Sequence, residues 1–217
     1  MCDSGPLISF SDTCLISVLP FLAKLGAEFL ITPAVEKEIV LNPINVHRYA
    51  FSAIRLHKTI DDKLLRVIDV DSHLMNRIMN SANAAFLLRG KPMKLIHAGE
   101  AACLAAYKQN GCSALAIDEK TTRLLIENPA LLADNISEQF GQRIIVDKRS
   151  LDEFTSLTSG IEIIRASELL AIATKNGYFD SFGKHKEQAF HTAIYALKQA
   201  GCSLSEKEVN DYQKLKF

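Results

Sequence analysis

An α/β fold is the class this chain predicts, on three observations. Short apolar stretches without polar alternation recur along it, helical patterns long enough for crossovers separate them, and acids stand where strands give way to helices. Continuous apolar content marks strands covered on both faces. The order strand, helix, strand is that of a parallel sheet wound with crossover helices.

The elements follow in chain order. Only Met1 and Cys2 can form a strand before Asp3, and Pro6 is well placed to start the next helix. Glu28 to Ile31 reads as a short buried strand closed by Thr32-Pro33, with Thr32 as N-cap, Pro33 at the first helical position and a helix over Ala34 to Leu41. Arg66 to Val70, Ser113 to Ile117 and Ile161 to Ile164 are further strands, and Arg143 to Asp147 is another candidate. Pro43 to Ile60 and His73 to Leu88 are helical in pattern. A later helix is expected with Ser150 as its N-cap and Glu153 three residues on, the pattern of a capping box. After Ala166 the chain reads as helix to Lys175, turns at Asn176-Gly177, and resumes as helix from Lys184 to Ala200.

A chain of 217 residues, 48% of them hydrophobic, can bury a full core. The expectation is a single domain over 1–217, with a helical excursion at about 43–95 and a C-terminal helical extension at about 166–217. The apolar run from Leu15 to Leu30 is broken by Ser17, Pro20, Lys24 and Glu28, so no membrane span is expected. The start Met1-Cys2-Asp3 lacks a basic cluster and an apolar core, which points to a cytoplasmic protein. Five cysteines, odd in number and without metal-ligand spacing, argue against a disulfide framework and against zinc, and are expected to be reduced and either structural or incidental.

With 25 basic and 25 acidic residues the net charge is zero, so no global field draws in nucleic acid. A nucleic-acid contact has to use a local cluster: Arg55/His57/Lys58, Arg89/Lys91/Lys94 or Lys120/Arg123. Solvated helix faces look the same.

Four acids carry the functional reading. Asp3 and Asp118 each end an apolar strand and precede a helix, so a parallel sheet brings them to one edge, where doubly wound folds bind ligands. Glu100 stands in the first turn of a helix of small residues, on the same stripe as Cys103 and Leu104. Glu36 and Glu38 flank the Val35/Ile39 stripe, and periodicity does not choose between them. Each acid has a plainer role open to it: Asp3 and Asp118 as N-caps, Glu100 as a dipole partner, the others as solvated surface. His97 is expected to be structural.

Four segments together resemble the PIN-domain nucleases: Asp3-Ser4-Gly5-Pro6-Leu7-Ile8-Ser9-Phe10, Ile31-Thr32-Pro33-Ala34-Val35-Glu36-Lys37-Glu38-Ile39, Gly99-Glu100-Ala101-Ala102-Cys103-Leu104-Ala105 and Ala116-Ile117-Asp118-Glu119-Lys120-Thr121-Thr122-Arg123. The tail from Ser167 to Tyr178 is similar to the closing helix of that family's longer prokaryotic branch. The resemblance implies a three-layer α/β/α sandwich with a central parallel sheet and a helical insertion. It further implies an endoribonuclease dependent on Mg²⁺ or Mn²⁺, possessing in many members the role of a toxin opposed by a protein antitoxin. Its four acids fall on Asp3, Glu38, Glu100 and Asp118, with Asp3, Glu100 and Asp118 as metal ligands. By the same likeness Ser4 is a hydroxyl near the metal, Glu38 is preferred to Glu36, and Arg123 lies beyond the site; Glu119 points to the other side of its turn, where it either supports the site from outside or faces solvent.

Two other classes compete. One is a PIN-like binding or regulatory module with little catalysis. The other is a metal-dependent phosphohydrolase or receiver, which Ser4-Gly5 after Asp3 and the lack of a strand ending in Lys disfavour. A homodimer is expected, because Ala84-Ala85-Phe86-Leu87-Leu88 must be covered by the chain itself or by a partner.

Overall fold

The computed structural model describes all residues, 1–217. The elements run α1 (Ser4–Asp12), α2 (Val18–Lys24), β1 (Phe29–Ile31) and α3 (Pro33–Glu36), which widens into a π-turn over Lys37–Leu41. A 3₁₀ turn (Pro43–Asn45) leads to α4 (His47–Asp61), β2 (Leu65–Val67), α5 (Ser72–Ala85), β3 (Phe86–Leu88), β4 (Lys91–Pro92) and α6 (Ala98–Asn110). Then follow β5 (Leu115–Ala116), α7 (Lys120–Glu127), α8 (Pro129–Phe140), β6 (Ile145–Val146), α9 (Lys148–Thr158) and β7 (Ile163–Ile164). The chain closes with α10 (Ala166–Lys175), a 3₁₀ segment (Asp180–His185), α11 (Lys186–Gln199) and α12 (Glu206–Tyr212). No helix is long and apolar enough to cross a membrane.

The chain divides into two compact units, one of Met1, 68–115 and 119–163, the other of 2–67, 116–118 and 164–217. In the second unit the backbone builds a parallel array. β1 pairs in parallel with β2, Phe29 opposite Leu65 and Ile31 opposite Val67. On the other side of β1, the Cys2 N–H donates to the Leu30 carbonyl at 2.8 Å. Cys2 forms a parallel bridge with Ala116, and the Asp3 N–H donates to the Ala116 carbonyl at 2.9 Å. The Ile117 N–H in turn donates to Ile164 at 2.9 Å. The first strand is thus reduced to one bridge, yet it occupies the middle of the array. Side by side, the residues that leave the carboxyl ends of these segments are Thr32, Asp3, Asp118 and Arg165. Leu7, Phe10, Val18, Leu19, Ile31, Val35, Leu56, Leu65, Leu170, Phe190 and Ile194 fill the core of this unit.

In the first unit α5 packs on α6 and α9. Ala101, Ala102, Cys103, Ala105 and Ala106 are all buried, so small side chains bring α6 close to its neighbours, and Gly111 ends it in the left-handed region at φ 59°. Asn83 fixes the approach to α6: its Oδ1 accepts from the Leu95 and Ile96 N–H groups, and its Nδ2 donates to the Ile96 carbonyl.

Three expectations are corrected. The helix over 73–88 stops at Ala85, and Phe86–Leu88 turn into a strand pairing antiparallel with both β4 and β6. The reversal is a two-residue turn, Arg89-Gly90, with positive φ at both (53° and 74°), which suits a hairpin. Within Ala84 to Leu88, Ala85 and Phe86 are consequently buried by the chain itself and the other three are half-buried, so the stretch is not the exposed apolar run from which a dimer is expected. The helix expected to begin at Ser150 begins three residues earlier, because Asp147 is the cap and its Oδ1 accepts from the Ser150 N–H at 2.8 Å.

Candidate functional site

Asp3 and Asp118 are brought together. Both are nearly buried, 7% and 3% exposed, at adjacent carboxyl tips of the parallel array. Gly5, in the first turn of α1, stands against both: a Cβ there would lie 3.5 Å from the Asp118 Cβ and 3.9 Å from the Asp3 Oδ2. The glycine leaves open a space beside the two carboxylates that any other side chain would fill. Asp3 occupies the N-cap position of α1 without a side-chain capping bond, so capping does not account for its carboxylate.

Asp118 is held from three directions. Its Oδ1 accepts from the Ala166 N–H at 2.8 Å and from the Cys202 thiol at 3.3 Å, and its Oδ2 from the Ser9 hydroxyl at 3.3 Å. Burial raises its pKa above the ordinary value, the three hydrogen bonds oppose that rise, and the charge of Glu168 adds to it. Burial and the adjacent Asp118 charge push the Cys202 thiol up to about 12, so it is a neutral donor.

Neither Ser9 nor Cys202 is marked by the sequence as a site residue; Cys202 is a free, buried cysteine that holds Asp118 in place. Ser9 lies one helical turn beyond Gly5, on the face turned to Asp118, so i,i+4 spacing could have found it. No local pattern points to Cys202 or Ala166.

The other expected site residues are placed as follows. Glu38 lies exposed on the π-turn and, with Ile8 and Asp12 of α1, lines a cavity of about 240 Å³; Glu36 is half-buried on α3. π-turns often mark functional positions. Glu100 belongs to the first unit, where its carboxylate accepts from the His97 N–H at 3.0 Å at the start of α6. Ser4 is the first residue of α1. Glu119 caps α7, accepting from the Thr121 and Thr122 N–H groups at 2.7 and 2.6 Å. No group of three His, Cys, Asp or Glu side chains is placed to hold a metal ion. The Asp3/Asp118 pair fits the mode of Mg²⁺ that takes one or two carboxylates and keeps its waters.

At the neighbouring tip, Arg165 is held among acids. It donates to both oxygens of Glu168, to Glu208 at 2.7 Å and to the Ser203 carbonyl at 3.0 Å, while the Tyr212 hydroxyl donates to Glu168 at 2.9 Å. Burial pushes Glu208 up, but the Ser205 N–H and hydroxyl and the Arg165 guanidinium outweigh it and bring its carboxyl down to about 2. A folded pKa below the ordinary 4.5 contributes stability that is present above that value and is lost as pH falls toward 2. Thermal melts over that range are expected to fall less steeply in Glu208→Gln than in wild type; parallel profiles would refute the assignment.

Five members of the basic clusters have partners within the chain. Arg55 donates to the Ser11 carbonyl and stacks on Phe51, His57 pairs with Asp61 and Lys58 with Asp62. Arg89 bonds Gln142, and Arg123 pairs with Glu127.

A family model described as a PIN domain matches residues 1–131. Searches of curated proteins and of solved structures found no match. The match contains Asp3, Glu38, Glu100, Asp118 and Ser9, whereas Ala166 and Cys202 lie beyond it.

Proposed function

This chain belongs to the PIN-domain family, and from that premise we propose that it is a Mg²⁺- or Mn²⁺-dependent endoribonuclease acting through Asp3, Glu38, Glu100 and Asp118. PIN domains carry a nuclease-like fold, are typically nucleases, generally use divalent metal ions and act on nucleic acid. The observation that carries the reading is the pair of nearly buried carboxylates flanking Gly5 at adjacent strand tips. Two acids in such a setting repel one another unless a proton or a cation intervenes, and hard oxygen donors suit Mg²⁺ and Mn²⁺.

In this reading Asp3 and Asp118 hold the ion, Glu100 is the further ligand assigned by family likeness, and Glu38 orients water. A divalent cation, when bound, supplies a water of lowered pKa and offsets charge on a phosphodiester under attack. The protein's own groups fix the acids: Ser9, Cys202 and the Ala166 N–H set the angle of Asp118. A toxin role opposed by a protein antitoxin extends the proposal and rests on family likeness alone.

Incubation of a mixed RNA pool with Mg²⁺ or Mn²⁺, and in parallel with EDTA, tests the reading. Cleavage is expected only with the metal. Intact RNA with retained Mn²⁺ binding would instead favour a binding module, a reading supported by the three hydrogen bonds that already occupy Asp118. Turnover of a phosphomonoester without RNA cleavage would indicate a phosphohydrolase.

Gly5→Ala separates the site from the fold. The contacts of the added Cβ are ordinary van der Waals distances, and alanine favours a helix by about 0.5–1 kcal/mol. The variant should melt no lower than wild type yet lose roughly tenfold or more in metal-dependent activity, the scale of change seen when a metal site's surroundings are altered. Full activity would show that the space beside the carboxylates is not used.

A further inference from the structure

One cavity of the second unit takes no part in fixing the buried acids. It is the space of about 240 Å³ where α1, the π-turn after α3 and α4 meet. Ile8, Ile39 and Leu56 give it an apolar lining, while Asp12, Glu38 and Tyr49 bring polar atoms to it. None of these three polar side chains makes a hydrogen bond or ion pair within the chain, and all three residues are exposed and open to a ligand. An apolar pocket with a few convergent polar groups is the ordinary form of a small-molecule site. This one lies below the roughly 300–1,000 Å³ that drug-sized ligands occupy, which leaves room for one flat ring system.

The chemistry of the lining names the ligand. Ionised carboxylates accept hydrogen bonds and do not donate them, so an uncharged guest must offer N–H groups. Tyr49 adds an aromatic ring on which a flat guest can stack. Arg48, 5.5 Å from the centroid of that ring and paired with no carboxylate, adds a cation at the rim. A guest with N–H donors, a flat body and an attached anion is a nucleotide. Among the RNA bases guanine sets two N–H donors side by side on its pairing edge, a match to the two oxygens of one carboxylate, whereas uracil turns two carbonyl oxygens to it. A cationic protein side chain would meet the acids but is disfavoured by the charge of Arg48.

Position ties the cavity to the buried acids. Ser4, Ile8 and Asp12 recur every four residues on α1, directly after Asp3, so one stripe of the helix runs from the acids to the cavity. At 1.5 Å per residue Ile8 stands about 6 Å and Asp12 about 12 Å along the axis from Ser4. We infer that the cavity holds one unpaired guanine of a single-stranded RNA, its ring stacked on Tyr49, its N1–H and N2–H groups donating to Asp12, and its phosphate met by Arg48. Glu38, to which the proposed reaction gives the water, lines the same cavity and so joins it to the acids. The inference rests on the nuclease reading for the kind of strand and adds the base that is selected.

Short single-stranded RNAs that differ at one position, G, A, C or U, test it on the full chain in two ways. Cleavage with Mn²⁺ is expected at a fixed offset from guanine, at least about tenfold faster than with uracil in its place, the scale of a bidentate contact to a base. Asp12→Asn should erase that preference while cleavage of the uracil RNA stays at the wild-type rate. Tyr49→Ala should raise KM for the guanine RNA about tenfold with kcat kept, as loss of a stacking platform does. Both positions are exposed, so melting should stay as in wild type. Binding, read by fluorescence anisotropy in the Asp118→Asn background, should show the same order of bases. A guanine preference in binding without any cleavage by wild type would refute the nuclease reading and support the cavity. Cleavage indifferent to the base, a preference that Asp12→Asn and Tyr49→Ala leave intact, or an absence of RNA binding would overturn the proposal.

Discussion

Asp118→Asn is expected to lower metal-dependent RNA cleavage by roughly a hundredfold or more, since even groups that only support a metal ligand are worth 10–100-fold. The fold should survive. An amide keeps an oxygen for the Ala166 N–H and the Cys202 thiol, and its nitrogen can donate to the Ser9 hydroxyl that now donates to Oδ2. The substitution also removes a buried negative charge whose pKa burial already raises. Melting of the metal-free variant should therefore be no lower than that of wild type, and the upward shift of melting expected for wild type with Mn²⁺ should shrink or vanish. Loss of activity with unchanged or greater stability is the signature of an acid kept for chemistry. Cleavage that persists at the wild-type rate would mean either a contaminating nuclease or a site elsewhere.

How far the sequence reveals this site depends on whether a contact is local or made across the fold. Thr32 and Pro33 announce the start of α3 by their types alone, and Thr32 does accept from the Val35 N–H. Asp3 and Asp118 are legible as neighbours because each follows an apolar segment of a parallel array, and adjacency in such a sheet brings carboxyl tips together. The groups that grip Asp118 are hidden for the opposite reason: Ala166 is 48 residues away and Cys202 is 84 away, and no periodicity spans such distances. The turn of Phe86–Leu88 from helix into strand is ambiguous in the sequence because a continuous apolar run suits either, and the hairpin signal lies in the backbone of Arg89-Gly90 rather than in a typical Asn-Gly pair. The Asp147 cap is hidden because Ser150 with Glu153 offers a competing start one turn later, whereas Asp147, directly after β6, takes the role.

The Arg165 network predicts the largest loss of stability. Arg165→Ala leaves Glu168 and Glu208 facing each other without the cation between them and the Ser203 carbonyl without its donor. Removing one partner of a buried pair costs about 3–5 kcal/mol. The arginine side chain is only 10% exposed, but both acids are 35% exposed and partly screened by water, so the lower end, about 3 kcal/mol, applies here. For a chain of this length that corresponds to a fall of roughly 6–12 °C in melting temperature. Arg165→Lys should recover only a fraction, since an ammonium cannot reproduce the planar fork that reaches Glu168, Glu208 and a carbonyl at once. Arg165→Met with Glu168→Gln and Glu208→Gln should recover more than lysine does, because the penalty lies in the stranded charges rather than in the lost attraction. Denaturant midpoints of the four proteins decide the matter: a lysine variant as stable as wild type would reduce Arg165 to a simple counter-charge. The consequence reaches Asp118 through the backbone. Ala166, whose N–H holds Asp118, directly follows Arg165, so a loosened start of α10 should lower activity in Arg165→Ala as well, with Mn²⁺ affinity falling in step.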